Sequence, residues 1–128
     1  MANLLDFIGR LFISALFLLS AYNKIFSIDG TMGWMEGFGV PGILLYPTIV
    51  LEVILPLFII IGYKAKLSSG LLAIFCIATA FIFHFDFSDQ MQIISFLKNI
   101  GLAGGFLFIL ANGTRDWSIE REKKYVRL

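Results

Sequence analysis

The chain has 128 residues, of which 59% are hydrophobic and 15% charged, with a mean hydropathy of +0.88. Soluble domains run at about 45–50% apolar and about 25% charged, so this composition excludes an ordinary soluble domain. A net charge of +1, with no basic block ahead of the last fifteen residues, argues against a nucleic-acid partner, and the single Cys76 rules out an internal disulfide, a CxxC redox pair and a cysteine-based zinc site.

A membrane helix takes about 20 predominantly apolar residues to cross the hydrocarbon core, and the chain offers four such runs. The first extends from Leu4 to Tyr22 and holds Asp6 and Arg10. It is read as a retained span, because its basic residue sits inside the apolar run and Ser20-Ala21-Tyr22 is a poor cleavage site for a signal peptide. The second, Ile43 to Gly62, contains Glu52, Pro47 and Pro56, and the third, Leu67 to His84, is uncharged up to its terminal histidine. The fourth, Met91 to Ala111, carries Lys98 and Asn99 and stops at Asn112-Gly113, a left-handed helix stop. Unbroken apolar runs lack the period-two alternation of a membrane barrel. The expected fold is therefore all-α: a four-helix transmembrane bundle over residues 1–113 with a charged tail over 114–128.

Seven basic residues fall in the Tyr63–Lys66 connection and the tail, against Lys24 alone on the opposite side. The positive-inside rule then places both termini in the cytoplasm. Trp34, Tyr63 and Trp117 flank the spans as interfacial anchors. The alternating charges Glu120-Arg121-Glu122-Lys123-Lys124 read as a solvated or surface-lying helical end.

Charges within the hydrocarbon are costly and usually face the bundle interior with partners. Arg10, Glu52 and Lys98 are such charges. Helical spacing puts Arg10, Ser14, Phe17, Ala21 and Lys24 on one stripe. Depth estimates at about 1.5 Å per residue place Glu52 between Arg10 and Lys98, so Glu52 is expected to pair with one of them and leave one cation in excess. Pro56 cannot donate to the carbonyl of Glu52, which frees a polar group beside the carboxylate. Gly101 and Gly105, one and two turns from Lys98, permit close approach of a helix from the same chain or from a second copy in a homodimer. His84, in Phe83-His84-Phe85-Asp86, is a capping residue or a proton carrier at the outer interface; one histidine with nearby aspartates falls short of a metal-ligand set, so no metal is expected.

Taken in order, Gly9-Arg10, Ala21-Tyr22-Asn23-Lys24-Ile25, Glu52, Phe83-His84, Lys98-Asn99-Ile100-Gly101 and Gly104-Gly105 resemble the DoxX family of small bacterial membrane proteins, from about Ile8 to Gly113. The resemblance implies a multi-pass protein of the bacterial inner membrane. Relatives of this kind have been linked to membrane oxidoreductase complexes and to thiosulfate:quinone oxidoreduction, which implies a redox protein partner and a quinone held without a covalent bond. No flavin, haem or iron–sulfur motif is present in the sequence, so catalysis by this chain alone is not expected. Two readings stand at this level. In one, Arg10, Glu52, Lys98, Asn99 and His84 line a site for a quinone head group or small anion in a redox-associated subunit. In the other, the protein is a scaffold or small-solute carrier whose buried charges form a structural network.

Overall fold

The computed structural model describes residues 1–118. Five α-helices follow one another: α1 (Ala2–Ile25), α2 (Ile28–Glu36), α3 (Leu45–Ile61), α4 (Ala65–Phe83) and α5 (Gln90–Asn112), with a 3-10 turn at Gly42–Leu44 leading into α3. There is no strand among the described residues. Four helical segments are long and apolar enough to cross a membrane: Ala2–Ile25, Gly42–Ile61, Ala65–Phe83 and Gln90–Asn112. These are the four spans expected from the apolar runs. The alternating charges at 120–124 lie outside the described residues.

The start of α1, the α3–α4 turn and residues 113–118 gather at one end of the bundle, the base; α2 and the α4–α5 connection form the opposite end, the apex. Local chemistry fixes the boundaries. α3 ends because Gly62 adopts φ 76°, a left-handed conformation in which the Gly62 and Tyr63 N–H groups donate back to Ile59 and Phe58. Asp89 begins α5 by accepting a hydrogen bond from the Met91 N–H at 3.0 Å. The Asn112-Gly113 stop is where the sequence put it, with Gly113 at φ 72°.

The buried face of α1 is Arg10, Ser14, Phe17 and Ala21, the stripe expected from a 3.6-residue period. Leu5, Phe12 and Leu19 on its other faces are exposed and available to lipid. α1 packs on α3, and α4 packs along α5 in the most extensive helix pairing among the described residues. The two pairs close around a core in which Phe17 meets Phe106 with ring centroids 5.4 Å apart, next to Ile59, Leu72, Ala73 and Cys76. The small residues are used unequally. A Cβ at Gly105 would stand 2.8 Å from Ile13 Cδ1, so the tip of that α1 side chain reaches α5 there, whereas a Cβ at Gly101 would meet nothing within 4 Å. The two glycines therefore do not share one neighbour within the chain.

The short helix α2 was not expected. Gly30 and Gly33 lower its helical propensity, and tertiary packing supplies the order instead: Met35 is buried, and Trp34 stacks on Phe83 at 4.5 Å with Phe38 edge-on to both rings. α2 thus lies across the apex over the end of α4.

Candidate functional site

The intramembrane charges sort into two separate places. Arg10, 2% exposed, belongs to the base. Its Nε donates to Asp6 Oδ2 at 3.0 Å, Nη1 to the Ile59 and Ile60 carbonyls at 2.9 and 2.8 Å, and Nη2 to the Trp117 carbonyl at 2.6 Å. Carbonyls in the last turn of a helix lack intrahelical partners and carry partial negative charge, so a guanidinium at the end of α3 satisfies both requirements. Asp6 also accepts from the Arg115 N–H at 3.2 Å. Arg10 and Asp6 together fasten residues 115–117 across α1 and α3.

Glu52 does not pair with Arg10 or Lys98, and that expectation is corrected here. Its Oε1 accepts from Lys24 Nζ at 2.6 Å, and the same amine donates to Ser20 Oγ at 2.8 Å. The first apolar run ends at Tyr22, but α1 continues to Ile25 and keeps Lys24 on its inward stripe. The carboxylate is almost wholly buried, at 3% side-chain exposure, and the ammonium is partly open at 24%. The i,i+4 spacing of Asp6 and Arg10 was likewise legible as a helical pair.

Glu52 and Lys24 form one wall of a cavity of about 420 Å³ that lies between the helices below α2. Leu16, Phe17, Trp34, Met35, Phe75 and Ile82 provide much of its apolar lining. A short polar strip crosses it. Thr79 Oγ1 donates to the Phe75 and Cys76 carbonyls at 3.0 and 3.1 Å and accepts from Asn99 Nδ2 at 3.4 Å. His84 Nδ1 lies 3.0 Å from Gln92 Oε1, joining the end of α4 to α5. Lys98 also lines the cavity. Of the five residues proposed from sequence, Glu52, His84, Lys98 and Asn99 therefore surround one cavity and Arg10 does not; Lys24, Thr79 and Trp34 are the additions that the structure makes. A shallower hollow of about 340 Å³ on the α1–α2 side shares Leu16, Ser20, Lys24 and Thr31 with the cavity, so both spaces meet at the Lys24 wall.

Asp86, in the α4–α5 connection, accepts from the Ser88 hydroxyl and backbone N–H at 2.5 and 3.1 Å. The hydroxyl bond first, then the backbone bond, hold its carboxyl below the usual range.

A family model described as DoxX matches residues 5–85. The chain belongs to the DoxX family. It is 34% identical over 114 residues to the inner membrane protein YqjF of Escherichia coli K12, covering 89% of this chain and 88% of that protein. It is 28% identical over 121 residues to the inner membrane protein YphA of the same organism, covering 89% and 86%. No solved structure gives a significant match. Together with the four spans, these relatives identify the chain as a multi-pass inner-membrane protein. The part matched by the DoxX model includes Asp6, Arg10, Lys24, Glu52 and His84, so the apical ion pair and the Arg10 bonds to Asp6 and the end of α3 fall within it, while residues 115–117 of the basal clamp do not. Lys98 and Asn99, on α5, lie beyond that segment.

Proposed function

We propose that this DoxX-family protein is a non-covalent holder of a quinone-like amphiphile, acting as a membrane subunit beside a redox protein partner. The cavity carries this reading. Its volume of about 420 Å³ falls in the range of small-molecule sites, about 300–1,000 Å³, which are typically apolar with a few well-placed polar groups. An aromatic and aliphatic wall suits a ring and the start of a chain. Asn99 Nδ2, which keeps a second hydrogen beyond its bond to Thr79, suits a ring oxygen, which needs a donor in a low-dielectric site. The redox partner rests solely on resemblance to a family whose members have been linked to membrane oxidoreductase complexes, and electron transfer would belong to that partner.

In this reading the base faces the cytoplasm, as the basic connection and tail favour, and the cavity opens in the outer half of the membrane. Reporter fusions would then read outside at Asp29 and inside at Gly62. The binding claim is tested by isolating the protein in polymer-bounded fragments of native membrane and extracting its lipids. Quinone enriched over the surrounding membrane, retained by the wild type and lost on Ala78→Phe, which fills the cavity wall, supports the proposal. Equal quinone content in both refutes it.

One observation favours the scaffold reading: the Lys24–Glu52 pair and the Arg10 bonds satisfy each other within the chain. A scaffold has no need of the cavity, so the Ala78→Phe variant would assemble with its partners and keep the cellular phenotype.

A further inference from the structure

Among the described residues, Lys98 differs from the other intramembrane cations in having no counter-charge. Arg10 has Asp6, and Lys24 has Glu52. Among the described residues no carboxylate pairs with Lys98 and no acceptor is bonded to it, although its side chain is exposed and lines the cavity. It stands eight residues from the start of α5 at Gln90, about 12 Å along the helix, and the lysine stem reaches only several ångströms. The amine therefore cannot readily regain bulk water by extending toward the apex. A cation at such depth is costly unless an anion or a polar group meets it.

The ionisable groups facing this space are Lys24 on α1, Glu52 on α3, Cys76 and His84 on and after α4, and Lys98 itself; α2 contributes none. Glu52 is already taken by Lys24 at 2.6 Å. Two amines face this space against one carboxylate, which leaves Lys98 without a counter-charge among the groups that line it.

We propose that Lys98 makes the cavity selective for amphiphiles whose head group is an oxyanion, the ionised form of an acidic ring hydroxyl. The apolar wall takes the ring and chain, Lys98 supplies the counter-charge, and the neutral Asn99 amide beside it is available to orient the head. This rests on the ligand-holding reading above and adds the charge of the ligand. Coulombic attraction in a site sheltered from water is far stronger than at a wet surface, so the anion gains over its own conjugate acid.

The test uses a nitrophenol bearing an octyl chain, whose ionised form is yellow, with the full-length protein in nanodiscs of zwitterionic lipid. Its ionisation is followed by absorbance in wild type, Lys98→Met and Lys98→Arg, and each variant is also titrated with a neutral short-chain quinone. The expected result is an apparent pKa of the bound phenol about one unit lower in wild type and Lys98→Arg than in Lys98→Met, a tenfold preference for the anion. Quinone binding should persist in all three. Equal phenol pKa values with quinone still bound overturn the charge selectivity alone, and show that Lys98 is neutral or answered by a lipid phosphate. Loss of quinone and phenol binding from the wild type overturns the ligand-holding reading, and this inference with it. Among the described residues Lys98 makes no bond that its replacement would break, so matching melting temperatures will establish that the variants are folded.

Discussion

Arg10→Met is expected to loosen the base of the bundle while sparing the cavity. Methionine keeps an unbranched apolar stem in the space now occupied by the arginine methylenes, so the loss is confined to the guanidinium. Four hydrogen bonds disappear: one to Asp6 Oδ2, two to the Ile59 and Ile60 carbonyls and one to the Trp117 carbonyl. Ile59 retains the Gly62 N–H as a donor at 3.2 Å, so the Ile60 and Trp117 carbonyls and the Asp6 carboxylate bear most of the change. Hydrogen bonds to charged groups contribute about 1.5–3 kcal/mol each, and bonds sharing one side chain do not add. Removing one member of a buried charged set costs about 3–5 kcal/mol, and a loss in that range is expected. Reversible unfolding in mixed micelles, followed by helical circular dichroism, measures it. Arg10→Lys should recover only part, because a point charge cannot bridge three carbonyls and a carboxylate as the planar fork does. A change within about 0.5 kcal/mol, the range of a neutral surface substitution, would refute the clamp.

At the apex, the single changes Lys24→Met and Glu52→Gln and their combination form a double-mutant cycle; a coupling of at least about 1 kcal/mol is expected from contacting charges, and additivity would mean that the 2.6 Å contact contributes nothing. Gly62→Ala should destabilise strongly, since the added Cβ would overlap Ser118 Cβ and fall 2.8 Å from its Cα at a positive φ, while Gly101→Ala, with open space around it inside α5, should hold or raise the melting temperature. Asp86 should titrate below an ordinary aspartate, and Ser88→Ala should return it toward the usual value, as read from carboxyl carbon shifts. Because its folded pKa is depressed, the order it gives the α4–α5 connection is present above the unfolded pKa and fades as pH falls through the folded one.

The spans were legible because length and hydropathy alone decide what crosses a bilayer, and the α1 stripe because a 3.6-residue period is a property of the backbone. The partnership of Glu52 was not. Depth was estimated along each helix separately, and depth along an axis does not say which helices are neighbours; α1 lies against α3 and brings Lys24, one stripe position beyond the assumed helix end, to the carboxylate. The position of Arg10 was missed for a related reason. A cation inside an apolar run reads as a site, yet here the end of α3 supplies backbone carbonyls that carry no side-chain signature in the sequence. α2 escaped notice because its order comes from Phe83, far away along the chain. Glu52, His84, Lys98 and Asn99 were each recognisable as polar residues in apolar surroundings, and their gathering around one cavity follows from the packing of α3, α4 and α5.

The occupancy of that cavity is most directly measured through Trp34, which lines it. In a Trp117→Phe background Trp34 is the sole tryptophan, and its fluorescence can be titrated with a short-chain quinone in nanodiscs. A quinone held in the cavity predicts saturable quenching that Ala78→Phe weakens by tenfold or more. Quenching that rises linearly with quinone in the lipid, and is the same with the cavity filled, would contradict it.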